Sequence, residues 1–331
     1  MNRTNQILRV AITASMTLAF LAALLPAAPA HAANWQTHAP LPEPLGNNAV
    51  TGHTFGDTCY IYSFMGIDTT KIWSGVSQSA YRLNTVTNQW QTLPDVPGPL
   101  GRIAALAVGC GDKVYLFGGY TVAMSGTEVS LDAVDIFDPA TMTWSAGAPI
   151  PVPVDDMVGG AWRDTLVYLV SGWSQTGNIT NTQVYSPSND SWDQATPFPT
   201  EGTFGGAGGV AGDFLVYADG VKGNFLMRNR VHRGAIDPGN PLVITWDGSG
   251  KHPGPALYRM ASGTTDSVRM IFSGGTDNPY NFDGIGYNSV PSEPVATTWS
   301  YFPSTEVEIF HADKPTPTMD HRGFARCGDR L

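Results

Sequence analysis

Short apolar runs of four to seven residues recur along this chain, each closed by a small polar turn. Ile103-Ala-Ala-Leu-Ala-Val-Gly109 leads through Gly111-Asp112 into Lys113-Val-Tyr-Leu-Phe-Gly-Gly119. The same pattern returns as Gly212-Asp-Phe-Leu-Val-Tyr-Ala-Asp-Gly220. It returns more loosely around Arg163-Asp164, Asp266-Ser267 and Gly56-Asp57. Runs this short, rich in Val, Tyr and Phe and bounded by Gly, Pro, Asn and Asp, predict strands rather than helices. Gly-Asp supplies the positive φ that a two-residue hairpin requires.

The hairpins belong to a larger repeat. Tryptophan falls at 35, 90, 144, 192, 246 and 299, at spacings of 55, 54, 48, 54 and 53. Before it runs a strand ending in a polar turn, as in Ile136-Phe-Asp-Pro-Ala-Thr-Met-Thr-Trp144 and Val184-Tyr-Ser-Pro-Ser-Asn-Asp-Ser-Trp192. After it comes a Pro-rich link, which marks an edge strand running into a loop because Pro cannot donate to a ladder. Each unit therefore holds four strands: a small-residue inner one, a Tyr- and Val-rich second, a third ending in the turn, and an outer one at the Trp. A lone four-stranded sheet cannot bury both faces, whereas radial stacking of several does.

The double glycine, the Asp-Pro turn and the spaced Trp resemble the kelch repeat, best seen in Phe117-Gly118-Gly119 with Asp138-Pro139 and Trp144. Ser273-Gly274-Gly275 is the next copy, while the other units keep single glycines at Gly66, Gly172 and Gly220. The resemblance implies an all-β, six-bladed kelch-type β-propeller over 33–331. Its units lie at about 35–89, 90–143, 144–191, 192–245, 246–298 and 299–331. Trp35 is expected on an outer strand that completes the last blade. Because Cys327-Gly-Asp-Arg-Leu331 is only the turn and two residues of a second strand, the last blade is expected to be incomplete and the chain to be a fragment. At fold level it is similar to N-acetylneuraminate epimerase and to the galactose oxidase propeller. Kelch propellers include enzymes, sugar binders and protein adaptors, so the family leaves function open.

Composition fits this reading. Gly 37 and Pro 25, in a chain of 331 residues with 9 Trp, 12 Tyr and 14 Phe, indicate many turns between packed strands. Residues 1–32 carry Arg3 and Arg9, an apolar stretch from Val10 to Leu25 and an Ala30-His31-Ala32 tail. That is the pattern of a signal peptide cleaved before Ala33, so the protein is expected to be secreted or periplasmic, with no membrane span after cleavage. Removing it leaves 16 basic against 28 acidic residues, a net charge of −12. Such a charge argues against nucleic acid as a partner. Cys59, Cys110 and Cys327 allow at most one internal disulfide. Cys110 and Cys327 precede the same Gly-Asp pair and read as buried strand-end residues; the pairing stays open.

Chemistry is sparse. No nucleophile elbow, zinc-protease motif or phosphate loop is present, and the histidines match no copper set, so no cofactor and no metal are expected. The Asp277, Asn278 and Asp283 cluster lacks EF-hand spacing and reads as turns. The candidate site is the mouth of the ring, where residues before each inner strand and after each diglycine converge. Counting from the Trp gives Arg102, Asp156, Arg259, Asp320, His321 and Arg322, with Tyr120, Trp173, Asp277 and Tyr280 from the post-glycine positions. Arginines beside aromatics and carboxylates suit a sugar or an acid-bearing ligand, and the mouth is expected to bind a glycan or a protein partner. The competing roles are knitting the ring through neighbouring carbonyls and a sugar mutarotase or epimerase activity, for which Asp156, Asp320 or His321 would supply the proton.

Overall fold

The computed structural model describes residues 35–264, 266–320, 323–328 and 330–331. Among these it contains no α-helix, only one 3₁₀ turn at Trp73–Gly75. Strands β1 (Ala49–Phe55), β2 (Thr58–Ile67), β3 (Val76–Asn84) and β4 (Gln89–Thr92) form blade I. Blade II is β5 (Leu106–Cys110), β6 (Lys113–Phe117), β9 (Val134–Asp138) and β10 (Thr143–Ala146), with the hairpin β7 (Tyr120–Val122) and β8 (Glu128–Ser130) inserted after β6. Blade III is β11 (Val158–Trp162), β12 (Leu166–Val170), β15 (Thr182–Ser186) and β16 (Ser191–Ala195), with the short hairpin β13 (Trp173–Ser174) and β14 (Gly177–Asn178). Blade IV is β17 (Ala207–Ala211), β18 (Phe214–Ala218), β19 (Val231–Asp237) and β20 (Asn240–Gly250). Blade V is β21 (Ala261–Gly263), β22 (Met270–Ser273), β23 (Thr298–Phe302) and β24 (Val307–Phe310).

The fold is an all-β propeller with five four-stranded sheets, not six. The expected sixth blade is represented among the described residues by a segment rather than a sheet. Phe324 N–H donates to Ser262 O of β21 at 3.1 Å, and Cys327 bridges Arg330 around Gly328 as Cys110 pairs with Lys113 around Gly111. On its other side, a Cβ on Gly52 of β1 would lie 2.8 Å from Arg326 N. The segment thus sits between the inner strands of blades V and I. A disulfide joins Cys59 to Cys327, 268 residues apart in sequence, and Cys110 is the buried free thiol. Cys327 is therefore half-buried and cross-linked rather than a buried free strand-end residue.

The core lies between sheets. In β6, Val114 and Leu116 pack towards Tyr62, Phe64 and Ala80 of blade I. The alternate residues Tyr115 and Phe117 pack towards Val167, Leu169 and Tyr185 of blade III. The period-two alternation of a strand thus serves two interfaces at once. The same arrangement joins blades III and IV, then IV and V. Full burial of each large side chain contributes about 1.5–3 kcal/mol.

The repeat tryptophans tie each link to the next blade. Trp90 Nε1 donates to Ala39 O, Trp144 to Pro94 O, Trp192 to Ala148 O and Trp246 to Thr196 O. Every acceptor lies four residues after the preceding repeat Trp. Trp35 thus keeps the register through Ala39, although it lies in no strand and is 43% exposed. Trp299 breaks the series. It is on β23, fully buried, and pairs in register with Phe310, which takes the outer position.

The diglycine has two separate causes. Its first residue is left-handed in every blade, as Met65, Gly118, Ser171, Asp219 and Gly274, so polar and larger residues are tolerated there. Its second is always Gly. A Cβ at Gly66, Gly119, Gly172, Gly220 or Gly275 would come within 2.5–3.0 Å of the carbonyl of Gly46, Ile103, Asp155, Phe204 or Tyr258. A contact so short admits only glycine.

Candidate functional site

Those five carbonyls belong to residues that precede a second repeated feature. Asn47, Ala104, Asp156, Gly205, Arg259 and Asp320 each adopt positive φ, one per unit, just before the inner-strand position. Their backbones link around the channel: Asn47 N–H to Asp320 O, Asp156 to Ala104, Gly205 to Asp156 and Arg259 to Gly205. Ala104 N–H uses the Asn47 side-chain Oδ1 instead, at 3.0 Å. Asp320 and Arg259 meet through side chains at 3.3 Å. Six residues therefore contribute to the mouth ring, whereas five four-stranded sheets form among the described residues.

The ring carries a buried ion cluster. Arg259 Nε and Nη2 donate to the two carboxylate oxygens of Asp156 at 3.2 and 2.7 Å, and Nη1 reaches Asp320. Arg259 and Asp156 are each only 2% exposed. The guanidinium also lies 4.7 Å over the Tyr258 ring and 5.1 Å from that of Tyr280. Burial opposes its charge, but Asp156 and then Tyr258 and Asp320 outweigh it and hold its pKa well above the ordinary value. All three guanidinium nitrogens thus donate to carboxylates within the ring. Breaking such a pair leaves an uncompensated charge and costs about 3–5 kcal/mol.

Above the ring a cavity of about 260 Å³ brings Tyr120, Asp156, Trp173 and Arg259 together. Arg102 is not part of it. Its place in the ring is taken by Ala104, because the link after Trp90 is two residues longer than that after Trp144. Arg102 instead pairs with Asp135 at 2.5 Å inside blade II. Thr276, not Asp277, holds the post-glycine bridge to Tyr258; Asp277 is exposed outside the cavity. Tyr280 is buried against Tyr258 and lines a neighbouring cavity with Asp320 and Lys71. His321 and Arg322 lie outside the described residues.

Three lining groups carried no signal in the sequence. Glu128 sits on the inserted hairpin β7–β8, Phe225 on the loop after Gly220, and Tyr287 on the insertion of blade V. That insertion arches over the mouth. Asn281 donates to Glu128 Oε1 at 2.7 Å, the Tyr287 ring stacks 4.0 Å from Phe225, and a Cβ on Gly284 would meet Lys71 Nζ at 2.7 Å. Its own polar side chains shape turns: Asp283 accepts from Ile285 N–H, and Asn278 donates to Val290 O. The basic residues of the blade IV loop are engaged too, with Lys222 and Arg228 on Glu201, while Arg233 lies within β19 and pairs with Asp247.

Edge-to-face and stacked rings run from Tyr287 through Phe225, Trp173, Phe204 and Tyr258 to Tyr280. Glu128, Ser130, Asp155 and Gln175 line the same cavity. Ser130 Oγ donates to Asp155 at 2.6 Å, and Gln175 Nε2 donates to Ser130 O at 2.8 Å. Burial raises the Glu128 pKa, with Asn281 and Arg259 pulling it back. The site is lined by aromatic rings together with polar and acidic side chains. Among the described residues no three His, Cys, Asp or Glu side chains are grouped to hold a metal ion.

The kelch motif model matches residues 101–151. An F-box/kelch-repeat protein of Arabidopsis thaliana is 36% identical over 111 residues, 32% of this chain and 32% of its own length. Kelch-like protein terF of Aspergillus terreus is 27% identical over 193 residues, 57% of this chain and 41% of its own. The chain thus spans well under half the length of these relatives. Among solved structures, that of YjhT superposes with a TM-score of 0.67 at 18% identity, over 85% of this chain and 88% of the other. At that identity the likeness is one of fold.

Proposed function

We propose, from the premise that this chain is a kelch-repeat β-propeller, that its roofed mouth binds a single sugar residue of a glycan outside the cytoplasm. One observation carries the reading: the cavity of about 260 Å³ is lined by aromatic rings and by hydroxyl, amide and carboxylate groups together. A sugar offers the matching pair of surfaces, an apolar face of C–H groups and a rim of hydroxyls. The test is binding of monosaccharides followed by Trp fluorescence or calorimetry. Trp173→Ala should abolish binding with little change in melting temperature, and unaltered affinity in that variant would overturn the assignment. A protein partner at the same mouth would instead bind by covering the insertion at Asn281 to Tyr287.

The mutarotase or epimerase alternative has a narrower basis. Asp156 and Asp320 are held by Arg259 and Asp155 accepts from Ser130 Oγ, which points to Glu128, with its raised pKa, as the proton-transfer group of the cavity. Loss of anomer exchange in Glu128→Gln would support it.

Two further expectations belong with this reading. A six-fold ring is supported by the six left-handed mouth residues and by the seat of 323–328 between blades V and I. Export is supported by the pattern of residues 1–32 and by the Cys59–Cys327 disulfide, since such bonds persist in oxidising compartments. N-terminal sequencing of the protein from a periplasmic or culture fraction should begin at Ala33.

A further inference from the structure

The cavity next to the mouth cavity has the same size, about 260 Å³, but a different chemistry. Pro44, Leu45, Ile67, Tyr280, Phe282 and Met319 give it a mainly apolar lining. Of its charged residues, Asp320 is held by Arg259, Asp68 Oδ1 accepts from Thr70 N–H, and Lys71 is exposed. The mouth cavity instead gathers Glu128, Ser130, Gln175 and Asn281 beside its aromatic rings.

The two cavities share walls. Asn281 and Phe282, consecutive on the roof, line one each. Tyr120 of the mouth cavity belongs to the buried cluster that holds Ile67 of the second, and Phe282 packs against that cluster. Tyr280 of the second cavity shares another cluster with Phe204 of the mouth, against which Trp173 and Met319 pack. Ligand pockets usually measure about 300–1,000 Å³, so either cavity alone falls short of that range and the pair lies within it. A separate sign of a ligand is Tyr120, which is 3% exposed and whose Oη has no hydrogen-bond partner among the described residues. A buried hydroxyl left unsatisfied is unfavourable and points to a ligand group that pairs with it.

We infer that the sugar taken by the mouth carries an apolar aglycone, an aryl or alkyl group, which occupies the second cavity. The inference rests on the sugar-binding reading of the mouth cavity and names what is attached to that sugar. In this arrangement Tyr120 Oη bonds a sugar hydroxyl, and the aglycone packs among Leu45, Ile67 and Phe282. Burying such a group against apolar side chains is favourable roughly in proportion to the area removed from water. A second sugar there would bury hydroxyls among side chains that offer them few partners, which costs free energy.

The experiment is calorimetric titration of the full chain with methyl and phenyl β-glycosides of glucose, galactose and N-acetylglucosamine. Cellobiose, lactose and chitobiose supply the matching disaccharides, and phenol is titrated alone. For the sugar that binds, the phenyl glycoside should bind roughly tenfold or more tightly than the methyl glycoside and the disaccharide. Phe282→Ala and Leu45→Asn, both at half-buried positions, should each cut that preference to about threefold or less and leave methyl glycoside affinity unchanged. Melting temperatures check that both variants fold. Tyr120→Phe should weaken methyl and phenyl glycosides alike, several-fold. Equal binding of methyl and phenyl glycosides, or tighter binding of a disaccharide, would overturn the aglycone inference and leave the sugar reading standing. So would a phenyl preference that survives in both Phe282→Ala and Leu45→Asn. Phenol binding as tightly as the phenyl glycosides, or binding of none of these compounds, would overturn both.

Discussion

The seams between consecutive blades and the seam between blades V and I are closed by different means. From blade I through blade V, each seam is an apolar layer of alternate strand residues; the first three also carry an indole-to-carbonyl hydrogen bond. At the V–I seam the described contacts include a disulfide, Phe324 N–H to Ser262 O, Asn47 N–H to Asp320 O, the Arg259–Asp320 ion pair and Phe282 of the blade V insertion packed against the Ile67 cluster. Apolar area dominates the first kind of seam and point ties the second.

That contrast can be broken at either seam. Reducing Cys59–Cys327, or replacing Cys59 by Ala, should have the largest effect. The disulfide closes a loop of 268 residues, for which chain entropy gives about 5–6 kcal/mol. A thermal melt with and without reductant measures this, and unchanged midpoints would show that the V–I seam does not limit stability. Phe117→Ala at the II–III seam should cost about 3–5 kcal/mol in denaturant unfolding. Arg259→Ala should cost a similar amount by leaving Asp156 buried and unpaired, whereas joint replacement of Arg259 and Asp156 by apolar residues should recover part of the loss. A mouth loosened by Arg259→Ala with no fall in stability would argue against the ion cluster as a structural tie.

Smaller effects sharpen the comparison. His252 lies on the link into blade V, 4.7 Å from Trp299, with Nε2 2.8 Å from Asp219 and Nδ1 2.8 Å from Pro253 O. Both ring nitrogens face acceptors, so both carry protons. Burial opposes that charge, but Asp219 and the Pro253 carbonyl outweigh it and raise the pKa above 6.5. A raised histidine contributes stability fully below its unfolded pKa and loses it as pH rises through the folded value. The wild-type melting temperature should therefore fall on the alkaline side of about pH 6.5 relative to His252→Gln, and parallel profiles would refute it. Trp144→Phe, which removes one indole hydrogen bond, should cost only about 1 kcal/mol.

The propeller was legible in the sequence because its causes are local: hairpin turns, a steric glycine and an indole that reaches back to a carbonyl at fixed register. Counting outward from the tryptophans failed where lengths change. The insertion between β22 and β23 lengthens unit five, so 53 residues beyond Trp246 the chain is still on its third strand. Trp299 is therefore buried mid-sheet, and Phe310 takes the outer place. Two extra residues after Trp90 likewise displaced Arg102 from the ring in favour of Ala104. Glu128, Phe225 and Tyr287 lie on insertions with no repeating pattern, and only ring closure brings them together. No local pattern says which side chains of these loops face inward. The pairing of Cys59 with Cys327 also depends on closure, since nothing local joins residues 268 apart.

The mouth ring takes one residue from each unit, and those six residues come from points about 50 positions apart along the chain. A molecule lodged there samples the whole circumference, so its grip reports on the alignment of every unit together. Five of the six contributors nevertheless sit on their own loop, each faced by its own glycine. Exchange of a single loop can therefore alter one sector of the recognition surface and leave the others in place. Such a scaffold can acquire a new preference in single-sector steps, without passing through an unfolded ancestor.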